Sequence, residues 1–275
     1  MKRRSHRWQL ARSVTALGFL ALLLAGAHSD VRVLTGSTTA SNFLGVMPFA
    51  DPLAAPQVML ASRAATSELW IGAGALLALA ALAGPVFCGW LCPLGLVLDW
   101  NHLLRDRVVR VFKGDKHRAA RRGNHLAPRG TRSAVLLFVL AVAAFGLPFY
   151  EAISPIQLLV RGLAYGTTAG LLVVLGLAVI EWFVPRLWCR TLCPTGALYS
   201  FVGRHAPLRV RIDLQMAGKL HCALCEAACP MGIPVMESYT LTGERSVDAP
   251  DCIRCGACLD SCPGAVLNLG VRDRN

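Results

Sequence analysis

The chain has 275 residues, 55% of them hydrophobic and only 16% charged, and carries a formal net charge of +12. That composition points away from one or two ordinary soluble domains and toward a membrane protein. The charge does not argue for nucleic acid: residues 1–204 hold 21 Lys and Arg against 8 acids, while residues 205–275 hold 7 against 8, so the basic excess orients the membrane part and attracts anionic lipid.

Stretches free of Asp, Glu, Lys and Arg run over residues 13–29, 69–98, 133–150 and 162–180. Each is near or above the roughly 18 residues that cross about 30 Å of hydrocarbon as a helix, so four transmembrane helices are expected. The first follows a basic head (Lys2, Arg3, Arg4, Arg7, Arg12). Its "LAGAHS" end also resembles a signal-peptide cleavage site, a reading that leaves the topology unchanged. After it comes "PFADP", residues 48–52. The second stretch contains "FCGWLCPLG", residues 87–95, and a loop with nine Lys and Arg between Arg105 and Arg129 follows. The third ends at "PFYEAISP", residues 148–155, and the fourth leads into "WCRTLCPTG", residues 188–196. Because positive loops resist translocation, both termini are expected in the cytoplasm.

The two halves read as tandem copies. Each places Pro-Phe two residues before an acid, Asp51 or Glu151, on one side, and a Cys-x-x-x-Cys-Pro element on the other. A parallel two-helix repeat implies a pseudo-twofold axis along the membrane normal, and that axis would gather Cys88, Cys92, Cys189 and Cys193 near the cytoplasmic interface. Four thiolates suffice for a further cluster or metal. Packing as small hydrophobes, contact with a partner and lipid attachment are the alternatives. Pro93 and Pro194 disfavour helix at the preceding cysteines, so each helix should end within its motif.

From about residue 205 the apolar runs stop and cysteine density rises; seven of the eleven cysteines lie here. The expected division is an all-α polytopic membrane domain, residues 1–204, followed by a small α+β, bacterial-ferredoxin-like iron–sulfur domain, residues 205–275. "CIRCGACLDSCP" sets Cys252, Cys255, Cys258 and Cys262 in the bacterial iron–sulfur comb with its trailing Pro263. Three neighbouring thiolates wrap one cubane and the fourth reaches a second. "KLHCALCEAACP" repeats the comb at Cys222, Cys225 and Cys229 but has Lys219 at the first ligand position. By the usual exchange, Cys252, Cys255, Cys258 and Cys229 hold one [4Fe–4S] cluster. Cys222, Cys225 and Cys262 hold a second, of three irons or of four with another ligand such as water or His221. Zinc prefers separated cysteine pairs, and disulfides do not suit a reducing compartment.

These elements together resemble the NapH/MauN family of membrane-bound ferredoxin-type proteins and are similar to the NosR-like polyferredoxin membrane core. The resemblance covers nearly the whole chain. It implies an electron-transfer subunit of the bacterial inner membrane, not a self-contained enzyme, passing electrons from quinol through a partner iron–sulfur or cytochrome protein toward a periplasmic reductase system. It also links Cys88, Cys92, Cys189 and Cys193 to partner interaction. Phe49, Asp51, Phe149, Tyr150 and Glu151 are expected to border a quinol site at the outer interface, the carboxylates accepting protons. Rival classes are an iron–sulfur redox-sensing regulator and a maturation or scaffold protein for a redox enzyme.

Overall fold

The computed structural model describes residues 6–28, 34–36, 40–43, 47–62, 67–113, 131–147, 149–217 and 222–271. Helix α1 (Arg7–His28) opens the chain. Its segment Arg7–Gly26 is, among the described residues, the one helix long and apolar enough to cross a membrane. A three-stranded antiparallel meander follows: β1 (Leu34–Gly36), β2 (Ala40–Phe43) and β3 (Met47–Ala50), with Leu34 opposite Phe43 and Phe43 opposite Met47. This is a departure from an all-α first domain, and its cause lies in a loop rich in Thr, Ser and Gly that has no helical periodicity.

Short helices carry the chain back into the protein interior. Asp51 accepts a hydrogen bond from the Leu53 N–H at 2.9 Å, and α2 (Ala54–Ser62) then buries Gln57 completely. Next comes α3 (Ser67–Ala83). The second charge-free stretch is not one helix. Gly84 takes a left-handed φ of 78° and Pro85 follows, so the chain restarts as α4 (Val86–Trp90) and again, after Cys92, as α5 (Pro93–Lys113). Each proline removes a backbone donor and fixes φ, favouring the first turn of a new helix. Helix α5 continues well into the stretch expected as a basic loop.

The second half repeats the plan. Helix α6 (Thr131–Ala144) is followed by α7 (Tyr150–Ile153), α8 (Pro155–Tyr165) and α9 (Thr168–Phe183). Gly166, left-handed at φ 65°, turns α8 back on α9. The hairpin closes tightly: a Cβ on Gly170 would lie 3.0 Å from the Leu158 carbonyl oxygen. A single π-helical turn over Trp188–Leu192 carries the second motif, and α10 (Pro194–Val202) starts at its proline. Leu94, Leu98, Leu159 and Val174 form one buried cluster and Leu53, Val139 and Tyr150 another, with Trp188 packed against both. Burying side chains of this size contributes roughly 1.5–3 kcal/mol each.

The tail is a small α+β unit. Strands β4 (Leu208–Ile212), β5 (Ser246–Val247) and β6 (Leu267–Val271) form an antiparallel sheet in the order β5-β4-β6. Two five-residue helices, α11 (Leu224–Ala228) and α12 (Ala257–Ser261), carry cysteines. Val210, Ile212, Ile233, Val247 and Ile253 make its core, against which Cys88 of the helical part also packs.

Candidate functional site

Each tail helix is preceded by a left-handed residue lying between two cysteines, Ala223 (φ 46°) for α11 and Gly256 (φ 71°) for α12. Each ends in an extended cysteine, Cys229 or Cys262. The two loops are therefore copies in backbone as well as in sequence. Cys229, Cys252, Cys255 and Cys258 line one cavity, walled by Val210, Ile233, Val235 and Val247. Cys225 lies within electrostatic reach of Cys222 and Cys262. Cys258 is within electrostatic reach of Cys225 as well as of Cys229, Cys252 and Cys255, so the two loops adjoin. Lys219 and His221 lie outside the described residues.

Burial first, and the neighbouring Cys255 second, push the Cys229 thiol up to about 12. Burial likewise raises Cys225 to about 11. Such thiols stay protonated at neutral pH until a metal takes the proton's place, so metal capture and proton release are one event. The Ile233 N–H donates to Cys229 Sγ at 3.4 Å, a contact suited to a thiolate. Among the described residues no three His, Cys, Asp or Glu side chains stand close enough for a single ion; the thiolates of a polynuclear core are spread over several irons. Four thiols on an apolar-walled cavity with an N–H on sulfur fit an iron–sulfur cluster.

The cavity loop is clamped to the helical part. Arg254, between Cys252 and Cys255, is 2% exposed. It donates to the carbonyls of Leu208 (2.6 Å), Gly203 (3.4 Å) and Cys252 (3.4 Å). Its guanidinium fills the notch over Gly84, where a Cβ would fall 1.1 Å from Nη1. The Trp90 indole N–H donates to the Arg254 carbonyl at 3.1 Å, and a Cβ on Gly89 would lie 2.5 Å from the Ile253 carbonyl oxygen. At the start of α1, the Trp8 and Gln9 N–H groups donate to the Asp260 carboxylate at 3.4 and 3.1 Å. That carboxylate satisfies two of the orphan donors of the helix end.

The repeated motifs come together beside this clamp. Cys88 is in electrostatic reach of Cys193, Cys92 and Cys189, and Cys193 of Cys189 and Cys92. The Gly196 N–H donates to Cys193 Sγ at 3.3 Å, and Arg186 approaches Cys189 Sγ at 3.9 Å. Arg186 also pairs with Asp99, which Arg12 meets at 3.2 Å. Arg132 reaches Ser200 Oγ at 2.8 Å and the Cys189 carbonyl at 3.5 Å, and pairs with Asp251.

The acid-bearing segments do not sit remote from the cysteines. Tyr150 is buried, within electrostatic reach of Cys193 and Asp51, and Tyr199 is within reach of Asp51, Cys88, Cys92 and Cys193. Through Tyr150 and Tyr199, Asp51 and the motif cysteines thus have neighbours in common. The side chains of Phe49 and Glu151 fall outside those described.

Family models described as a 4Fe-4S binding domain match residues 68–111 and 167–213, the two motif regions, and one described as a 4Fe-4S dicluster domain matches residues 220–267. The methylamine utilization ferredoxin-type protein MauN of Methylorubrum extorquens is 31% identical over 99% of this chain and 92% of its own length. The ferredoxin-type protein NapH of Escherichia coli is 30% identical over 98% of this chain and 91% of its own. The chain belongs to the NapH/MauN family of ferredoxin-type iron–sulfur proteins. MauN of Paracoccus denitrificans is 30% identical over 90% of this chain and 84% of its own. No solved structure matches.

For this NapH/MauN chain, membership of a family of ferredoxin-type iron–sulfur proteins implies electron transfer. Sequence reasoning passed over Arg132, Arg186, Arg254, Asp99 and Gly84. Arg254 was findable, because an arginine inside a Cys-x-x-Cys loop has few places to go except out to solvent or into a neighbour. Arg186 stands three residues before Cys189, as Pro85 stands before Cys88, and aligning the repeats exposes it. Arg132 carries no sequence mark beyond its place at a helix start.

Proposed function

We propose that the chain is a membrane-bound electron-transfer subunit that takes electrons from quinol and passes them through its tail clusters to a partner iron–sulfur or cytochrome protein serving a periplasmic reductase system. The observation that carries this reading is the cavity gathering Cys229, Cys252, Cys255 and Cys258, locked by Arg254 onto the motif-bearing helices. An electron carrier needs short, fixed gaps between centres, and a clamp of this kind provides them.

Residues 1–204 form the membrane domain and residues 205–275 the cytoplasmic one. Beside α1, the apolar helices over Trp70–Ala83, Thr131–Ala144 and Thr168–Phe183 complete four spans of the inner membrane. They are shorter than about 20 residues, and the buried helices α2 and α8 pack among them. Leu82, Phe138, Leu172 and Phe183 are exposed large hydrophobics on them, as lipid contact requires. The basic head and basic loop keep both termini in the cytoplasm.

In this reading Cys252, Cys255, Cys258 and Cys229 hold one [4Fe–4S] cluster. Cys222, Cys225 and Cys262 hold a second of three or four irons. When bound, such clusters accept and release one electron at a time. Asp51 and Glu151 receive the protons quinol gives up, and the inward turn brings Asp51 toward the cysteine motifs, shortening the electron's path. The apolar walls around Cys229 exclude water.

The test is anaerobic purification of the full chain, titration with a reduced quinol analogue, and paramagnetic resonance of the clusters. Reduction of the cluster signals within the mixing time, lost in an Asp51→Asn, Glu151→Gln double variant, is expected. Clusters that stay oxidised beside excess quinol while the protein still binds a partner would instead mark a redox-sensing regulator or a maturation scaffold.

A further inference from the structure

Arg254 is a buried cation for which the described residues supply no carboxylate. It is 2% exposed, and the groups it donates to are all backbone carbonyls, those of Leu208, Gly203 and Cys252. The acids near it in sequence are engaged elsewhere. Asp251 pairs with Arg132, Asp248 meets Arg209 at 3.5 Å and accepts from Ser246 Oγ at 2.7 Å, and Asp260 takes the N–H groups of Trp8 and Gln9. A charge buried away from any opposite charge is costly. The backbone adds strain, since Arg254 sits at φ 51°, in the left-handed region that a residue with a Cβ enters only when its surroundings hold it there.

What this cation does adjoin is the cysteine cavity. Arg254 lines it together with Cys229, Cys252, Cys255 and Cys258, and its Nη1 donates to the Cys252 carbonyl at 3.4 Å. We infer that Arg254 is the fixed counter-cation of the iron–sulfur cluster those four cysteines hold, and that it sets the reduction potential there. A core held by four thiolates is anionic in both redox states. One electron from a reductant turns a ferric site ferrous, breaks no bond and leaves one more negative charge. A guanidinium stays protonated throughout, so Arg254 favours the reduced state over the oxidised one and raises the potential. Little water screens the attraction: Val210, Ile233, Val235 and Val247 wall the cavity, and Trp8 packs on Gly256 of the same loop, where a Cβ would fall 2.7 Å from its Cγ.

The position of the charge is set by the other half of the chain. Gly84 leaves the notch that the guanidinium fills, the Gly203 carbonyl accepts from Nη2, and the Trp90 indole N–H holds the Arg254 carbonyl at 3.1 Å. The segments that flank the repeated cysteine motifs thus fix a cation beside the tail cluster. This role of Arg254 rests on the ligand set proposed above, and on neither quinol nor a partner.

The experiment is a redox titration of the full chain, purified without air and followed by paramagnetic resonance, for the parent, Arg254→Gln and Arg254→Lys. A Cys255→Ser variant, which removes one ligand, marks the signal to follow. Arg254→Gln should move the midpoint of that signal to a more negative value, lowering the ratio of reduced to oxidised cluster at a fixed potential by about tenfold, or about 59 mV for one electron. Arg254→Lys, which keeps the charge, should recover most of the shift. The sign separates this role from a purely structural one, because a loosened loop admits water, which favours the more highly charged reduced core and moves the midpoint the other way. An unmoved or less negative midpoint in Arg254→Gln overturns the counter-cation role and leaves the ligand set standing. If every signal survives Cys255→Ser, the ligand set falls and the role of Arg254 with it. Should the Gln chain hold no tail cluster, the Lys chain decides: a cluster there ties assembly to the charge, whereas its loss from both assigns Arg254 to hydrogen bonding alone and overturns the role.

Discussion

Asp99 sits between two buried guanidiniums, Arg12 and Arg186. Breaking a buried pair by removing one partner leaves uncompensated charge and costs about 3–5 kcal/mol, far more than the pair contributes against an apolar replacement. Asp99→Asn should therefore lower the thermal midpoint of the solubilised protein by that order, and an Arg12→Met, Asp99→Leu, Arg186→Met triple variant should regain much of it. Gly84 makes a different demand. At φ 78° with Arg254 occupying the space of its missing Cβ, Gly84→Ala is strained and displaces the clamp as well. Expelling Arg254 takes its donor from the Leu208 carbonyl, at about 1–3 kcal/mol, while the Gly203 carbonyl keeps the Ala206 N–H at 3.2 Å. Limited proteolysis should then release the tail from Gly84→Ala protein under conditions that leave the parent intact.

At the scale of elements, much was legible and the omissions share a cause. The end of α4 and the start of α10 were readable from Pro93 and Pro194, because proline's lost donor and fixed φ act locally. The ferredoxin loops were readable because ligand spacing encodes their geometry directly. The inward turn of α2 and α8 was not. Gln57 and Gln157 lie buried, and whether such a segment lies along a surface or dives inside is decided by partners far away in sequence, here Val139 and Trp188 packed around Leu53 and Leu159. The α8–α9 hairpin gives that packing a test. With 3.0 Å between a Gly170 Cβ and the Leu158 carbonyl, Gly170→Val must push the helices apart. Overpacking typically costs 1–3 kcal/mol, so calorimetry should show the thermal transition of the Gly170→Val protein lowered and broadened, with the tail's cluster spectrum unchanged.

At the scale of the whole molecule, pH acts through the buried thiols that no cluster holds. In metal-free protein the Cys229 thiol is raised from 9.0 to about 12 and that of Cys225 to about 11. A raised thiol favours the folded state below its unfolded range, and that stabilisation is lost as pH climbs through the raised value. Chemical denaturation of the metal-free chain should show stability falling steadily between about pH 9 and 12, whereas the cluster-loaded protein, its thiolates already bound, should lack this slope over the same range. The iron–sulfur character of the tail was visible in the sequence because cysteine spacing is a property of the string. The clamp between the domains was not, since Arg254, Gly84 and Gly203 have no common pattern and meet only in three dimensions.

The hydrogen bonds from Trp8 and Gln9 to Asp260 join residues 252 and 251 positions apart. During synthesis the opening helix therefore emerges long before its anchoring carboxylate has been translated, and this contact closes only after residue 260 has been added. A tag fused ahead of residue 7 should consequently disturb the cysteine loop at the other extremity of the polypeptide, while the same tag appended after residue 275 should leave that closure untouched.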